Sequence, residues 1–482
     1  MAFKNPAQDT AHPYRAIWRL SWPQVLMMFL QFWIGFVDVY VAGLINREVQ
    51  ASLGLITTCL FFLLIVATAV ANGAVAAVSQ SVGAGLYRRG QRYVGLCLTL
   101  ALVMGALLML AGLAGREAFL VLLQVPPELR AITGDFLAVY ALLLPAYHIL
   151  LIANAVFRAR KEVIFPTLSI LLVCVVNAVA DFGLGLGLWG LPALGHSGLA
   201  WATFWSVTAG AALNLVMLRR KGLLRREAFA PWRWVRRALP RLLRVAGPSG
   251  LMQVLWQSGY LMLFAITGSL PHGNITALAG MTAGGRIEAL LFLPGFAFNM
   301  TASVLVGHYL GAGQPAEARR FGFRVLGIGV AIMSLVALGL WQVAQDVADI
   351  MSDDPAVRLE IMSYLSWNLL AIPFTLTGMI MGGALGGAGA TIYTMIVFGT
   401  TIWCVRLPLA WILGHHVLGE ARGVWISMLV SQMVQALVIL YVFAFKDWKR
   451  FALVRRASRR DPAGLAEEPA PLPVGGGGGL RK

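Results

Sequence analysis

The chain has 482 residues, of which 59% are hydrophobic and only 12% charged, and its mean hydropathy is +0.76. Those proportions exclude an ordinary array of soluble domains. The formal net charge of +17 would suit a nucleic-acid partner, but the positions of the basic residues point to a membrane instead.

A polar start, MAFKNPAQDTAHPYR, precedes the first apolar run and has no short hydrophobic core with a cleavage site, so no removable signal peptide is expected. Stretches of about 20 apolar residues are long enough to cross a bilayer. Twelve such spans are predicted, near 20–45, 51–80, 93–115, 131–157, 163–188, 198–218, 245–270, 275–306, 322–345, 356–385, 392–414 and 423–445. With the N-terminus placed in the cytoplasm, five of the 38 Lys and Arg residues fall outside the cell (Arg47, Arg116, Arg130, Arg358 and Arg422). Two more lie within spans (Arg286 and Arg406), and all the rest are cytoplasmic. This bias fixes both termini inside and predicts an all-α, multi-pass protein of the inner (plasma) membrane.

The first span, Leu20–Ile45, contains a single charge, Asp38. A carboxylate near the middle of a membrane helix costs about 2.5–3.5 kcal/mol on insertion scales, so it needs a reason to be there. Asp181 sits in the fifth span with Asn177 one helical turn before it, on the same helix face. The glycines Gly183, Gly185, Gly187 and Gly190 follow, then Pro192, and Thr203 lies in the sixth span. Two carboxylates, an amide and a hydroxyl offer oxygen only, which suits a proton or a hard cation such as Na+. Either acid alone could simply bond a neighbouring helix. Two acids and an amide in one half favour a site that takes up and releases a cation.

Between the sixth and seventh spans, Arg225, Arg226, Arg233, Arg236, Arg237, Arg241 and Arg244 occur with Trp232 and Trp234. Residues 223–244 are expected to form a basic linker, either lying on anionic lipid or solvated. In the second half, Arg286 and Glu288 lie in the eighth span, and Arg406 precedes Pro408 in the eleventh. Opposite charges in one half are expected to pair for structure, with Glu288 kept as a secondary transport candidate. Asp346, Asp349, Asp353 and Asp354 are expected in a solvated outer loop. The tail, 451–482, turns basic and then Pro- and Gly-rich, and is expected to be disordered. Cys59, Cys97, Cys174 and Cys404 all fall in spans without metal or disulfide spacing. No HExxH or GxSxG accompanies the scattered histidines His148, His196, His272, His308, His415 and His416, so an intramembrane enzyme is a weak alternative. No cofactor is expected.

The chain also repeats itself. Val78–Gly85 (VSQSVGAG) and Val306–Gly313 (VGHYLGAG) lie 228 residues apart, with Arg92-Tyr93 matched by Arg320-Phe321 downstream, and Pro23 of the first span matches Pro248 of the seventh. Six spans separate the copies, so the halves are parallel repeats. They divide the chain into a first lobe, 1–222, the linker, 223–244, and a second lobe, 245–450.

These residues resemble the multidrug and toxic-compound extrusion (MATE) family. The likeness covers about residues 15–445 and rests on several segments in order. They are Trp22-Pro23, Gly35–Gly43 around Asp38, both GAG segments, Asn177–Asp181, Gly198–Thr203, Gly382–Gly389 and Arg406-Leu-Pro408. The resemblance implies two six-helix lobes in a V and export of amphipathic, often cationic small molecules against H+ or Na+ by a monomer among membrane lipids. Within the branch typified by a DNA-damage-inducible protein, it implies a cation site at Asp38, Asn177, Asp181 and Thr203, with Pro23 at a position of helix bending. Another branch carries a glutamate in span 7 and an aspartate in span 10, where this chain has Trp256 beside Gln257, and Thr375. A lipid-linked oligosaccharide flippase of the same superfamily remains an alternative, although an anionic cargo would call for a more basic cavity.

Overall fold

A computed structural model describes residues 10–454, so the five-glycine run and most of the expected disordered tail lie outside the described residues. The chain runs through α1 (Pro13–Ile45), α2 (Arg47–Gly83), α3 (Tyr87–Ala114), α4 (Arg116–Leu122), α5 (Pro127–Ala159), α6 (Ile164–Ala180) and α7 (His196–Arg220) in the first lobe. The second lobe contains α8 (Trp232–Gly268), α9 (Asn274–Gly311), α10 (Pro315–Gln342), α11 (Ala344–Met351), α12 (Pro355–Gly387), α13 (Thr391–Thr400), α14 (Leu407–Trp411) and α15 (Ala421–Phe445). A π turn at Asp181–Gly185 prolongs α6, and two more, Thr401–Arg406 and Ile412–Val417, join α13 and α14 into one span. Eleven of these helical stretches are long and apolar enough to cross a membrane. The twelfth predicted span lies within α8, where Gln253, Gln257 and Ser258 dilute the apolar run.

Local chemistry sets the helix ends. The Asn46 side chain accepts from the Val49 N–H (2.7 Å) to cap α2. Proline opens α5, α10 and α12, where a missing N–H costs no helical bond. The last glycine of each GAG segment closes the repeat's second helix in the left-handed region, Gly85 at φ 76° and Gly313 at φ 73°.

The repeat read from the sequence extends through the whole packing scheme. In the first lobe α5 packs on α2, α3 and α7, and in the second α12 packs on α9, α10 and α15. Even the short helices match, since α4 and α11 begin 228 residues apart. The lobes meet where α2 crosses α9, and through the related contacts α1 with α9 and α2 with α8.

Three sequence expectations need correction. The linker is not a separate element, because α8 starts at Trp232 and continues unbroken into the seventh span. Trp232 is exposed, as a headgroup residue would be, but Trp234 is buried, edge-on to Tyr93 (centroids 5.1 Å apart), with Arg92 over its ring at 6.0 Å. Ala238 and Leu242 continue that buried face, with Leu242 lying against Gly73 of α2. The arginines therefore flank a packed helix rather than a free one. Trp234→Ala should remove about 3–5 kcal/mol of packing, read as a lower thermal midpoint of the purified protein. An unchanged midpoint would contradict that anchoring.

The second correction concerns Asp346 and Asp349, which lie on α11 rather than in a loop, with Asp349 paired to Arg358 at 3.1 Å. Asp354 caps α12 through the Ala356 N–H (2.8 Å). The third is the tail's first part: Leu453 packs on the bundle and Val454 is buried.

Candidate functional site

Four helices of the first lobe converge on Asp38. The α1 span that carries it is an unbroken helix through Pro23, whose carbonyl accepts a hydrogen bond from Thr167 of α6 (3.0 Å). One face of α6 presents Asn177 and Asp181, both fully buried. The Asp38 carboxyl faces both of them. The expected side chains thus come together, from elements distant in sequence.

Glycines allow this closeness. A Cβ on Gly198 of α7 would overlap the backbone carbonyl of Leu184, in the π turn that begins at Asp181, and a Cβ on Gly185 would press on Leu199. With those Cβ atoms absent, α7 lies directly against the turn. A π turn widens the helix by one residue and recurs at functional sites; here it carries the second carboxyl.

The polar atoms of the cluster are poorly provided for. Asp38 Oδ1, both Asp181 carboxyl oxygens and both Asn177 amide atoms are buried without a hydrogen-bond partner in good geometry. No basic residue forms an ion pair with either acid among the described residues. Buried polar groups left this way are costly, and a bound proton or cation would relieve the cost. Thr203 lies at the edge, half-buried, its hydroxyl donating to Leu199 O (3.2 Å) and lying 3.4 Å from the Tyr140 hydroxyl.

Two residues of α5 were not anticipated from the sequence. Tyr140 and Tyr147 both lie within electrostatic range of Asp38. They are seven residues apart, so they share one helix face, and that spacing was the available signal. Oxygen ligands predominate at this site, and among the described residues no three His, Cys, Asp or Glu side chains gather as a transition-metal site would require. The donor set fits a proton or Na+.

The second lobe is built differently. Glu288 accepts from the Tyr364 hydroxyl (2.6 Å), Arg406 is buried and its Nε donates to Ser431 (2.8 Å), and Arg286 is exposed. Among the described residues Arg286, Glu288 and Arg406 make no direct ion pair; Glu288 and Arg406 interact electrostatically at longer range, and hydroxyls supply their hydrogen bonds, so the expected pairing of opposite charges is looser than a salt bridge. Gly423 packs on Leu413 of a π turn just as Gly198 packs on Leu184. That correspondence aligns Arg406 with Asn177 and Ala410 with Asp181. A basic side chain and a methyl group stand where the first lobe has its amide and acid, so among the described residues the second lobe carries no counterpart of that acidic cluster. The histidines do not gather: His196 contacts Asp135 (3.1 Å), His308 contacts Ala159 O (2.7 Å), and His415 contacts Ser269 (3.1 Å).

Two lobes of membrane-length helices, the first built around a buried acidic cluster, define a polytopic membrane protein. The MatE family model matches residues 23–182 and again 248–412, one match per lobe, and the chain belongs to that family, whose members are the multidrug and toxic-compound extrusion transporters. It is 23% identical over 94% of its length to a probable multidrug resistance protein NorM of Thermotoga maritima, covering 97% of that protein. It is 28% identical to the multidrug resistance protein PmpM of Pseudomonas aeruginosa, with 90% of this chain and 91% of that one covered. Its fold matches a MATE crystal structure in the bent conformation with a TM-score of 0.82 at 20% identity, over 91% of this chain and 95% of that one. A structure in the straight conformation matches at 0.81, with the same identity and coverage.

Proposed function

We propose that the protein is a secondary antiporter that exports amphipathic, cationic small molecules in exchange for H+ or Na+ by alternating access. The observation that carries this reading is the buried pair Asp38 and Asp181, with Asn177 beside them and no basic partner among the described residues. An unpaired acidic pocket attracts either a small cation or a cationic cargo, and it cannot hold both at full strength. With both termini in the cytoplasm, as the basic residues direct, the close approach of Gly83 to His308 and of Gly311 to Gln80 lies at the cytoplasmic end of the lobes, which supports reading this state as outward-facing. Uptake of H+ or Na+ at Asp38, supported by Asn177, Asp181 and Thr203, neutralises the pocket, and cargo affinity falls. Helix α1 changes shape about Pro23, where the missing N–H weakens the helix. The ion shifts the equilibrium between states only through that difference in affinity.

Electrical bookkeeping constrains the cargo. One charge crossing 100 mV is worth about 2.3 kcal/mol, so exchanging one monovalent ion for one monovalent cation cancels the electrical part and leaves the concentration gradient. The protein reconstituted in liposomes should therefore move a lipophilic cationic dye against an imposed proton or sodium gradient, with little response to voltage alone. Movement of dye without either gradient, or of lipid-linked sugar in its place, would reject the antiport reading.

A further inference from the structure

The two copies of the GAG repeat do more than end α2 and α9, for they are packed against each other across the lobes. A Cβ on Gly83 would overlap the carbonyl of His308, and a Cβ on Gly311 would overlap the carbonyl of Gln80. Gly83 and Gly311 are repeat equivalents, as are Gln80 and His308, so one contact is the image of the other. A Cβ on Gly307 would collide with Ser79, the residue 228 positions before it. The backbones of α2 and α9 thus touch along a seam that tolerates no side chain.

Side chains then reach across this seam in matched directions. Gln80 Nε2 of the first lobe donates to Gly387 O at the end of α12 (2.9 Å). His308 Nε2 of the second lobe donates to Ala159 O at the end of α5 (2.7 Å). Ala159 and Gly387 are again 228 residues apart, and both turns pass through the left-handed region two residues later, at Lys161 (φ 61°) and Gly389 (φ 83°). Gln80 is wholly buried and His308 nearly so. A second tier lies deeper, where the residues after the two prolines also cross between lobes: Gln24 donates to Thr301 (2.9 Å) and Asn72 donates to Ser249 (2.7 Å).

The repeat is broken at one point. The Gln80 amide oxygen accepts from the Leu453 N–H (2.7 Å), and Arg89 donates to Leu453 O (3.0 Å). The segment after α15 is thereby tied to the first lobe across the mouth of the seam.

We infer that Gln80 and His308 are a pair of two-fold-related latch residues that hold the lobes together in this state, with the Leu453 segment as a strap over the Gln80 side. Every cycle to the opposite-facing state must break both bonds and separate the glycine seam. Each bond ends on a backbone carbonyl, so the latch depends on donor geometry and on no charge. This assigns Gln80 and His308 as positioning residues for transport. Its significance rests on the antiport reading, but its test does not.

The experiment is hydrogen exchange by mass spectrometry on the full chain in lipid nanodiscs, without cargo or ion gradient, following the turns after Ala159 and after Gly387. One buried hydrogen bond is worth about 1 kcal/mol, so His308→Leu or Gln80→Leu should speed exchange about fivefold. The decisive feature is where. A shared latch predicts that either variant speeds both turns, including the one whose own bond is intact. His308→Gln places the repeat's own donor at that position and should stay within about twofold of the native rate. Acceleration confined to the turn that lost its bond, acceleration spread evenly over every helix, or a His308→Gln variant as fast as His308→Leu would each overturn the assignment. Loss of efflux in all variants with unchanged exchange would likewise overturn it and leave the antiport reading intact.

Discussion

Asp38→Asn should reduce gradient-driven efflux to the level of empty liposomes while the protein still inserts and folds. The substitution keeps the size of the side chain and much of its hydrogen-bonding capacity, and removes the one property the mechanism needs, a charge that comes and goes. A mid-membrane carboxylate costs about 2.5–3.5 kcal/mol to insert, so the amide should leave the thermal midpoint unchanged or raise it. Opposite movements of stability and transport separate a functional acid from a structural one. Were Asp38 a helix-bonding residue, the amide would replace it with efflux largely preserved. Asp181→Asn should weaken efflux in the same direction, because Asp181 faces the same pocket from the start of the π turn. Dye efflux under separate proton and sodium gradients, measured beside a melting curve, checks both variants, and native efflux by Asp38→Asn would remove the acidic pocket from the mechanism.

What was legible in the sequence follows from what is costly in a membrane. Charges and amides in apolar spans are rare enough to stand out, so Asp38, Asn177 and Asp181 were visible, and the repeat placed them in one lobe. Tyr140 and Tyr147 were not, because a tyrosine in a membrane helix costs little and has many uses. The linker was misread for a related reason. Arginines at helical spacing look like a lipid-facing strip, and nothing in the order of residues says that on the other face Trp234 meets Tyr93 of α3 and Leu242 meets Gly73 of α2. The acidic run after α10 read as loop because aspartate disfavours helix interiors, whereas here Asp354 caps a helix and Asp349 answers Arg358. The GAG segments were recognised as repeats, but a sequence repeat does not reveal that its two copies touch. That required the fold, and so did the roles of Gln80 and His308.

The second large effect comes from a methyl group placed where it touches no ionisable atom. Gly198→Ala would drive a Cβ into the Leu184 carbonyl, and Gly423→Ala would drive one into the Leu413 backbone, each against a π turn at the equivalent place in its lobe. Overpacking of this kind costs about 1–3 kcal/mol, so both variants should lower the thermal midpoint by a similar amount. Their effects on efflux should differ sharply. The turn at Leu184 begins with Asp181, and a shift of about 1 Å there separates the two carboxyls; displacements of that size can cost about a hundredfold in a site that depends on alignment. The turn at Leu413 follows Ala410, which offers nothing to a cation, and Gly423→Ala should retain most of the native efflux once its lower stability is allowed for. Equal losses of efflux in the two variants would mean that both lobes handle the ion or that only stability was changed, and the melting curves decide between those. A selective loss in Gly198→Ala places ion coupling in the first lobe without altering a single titratable group, which no substitution of Asp38 itself can do.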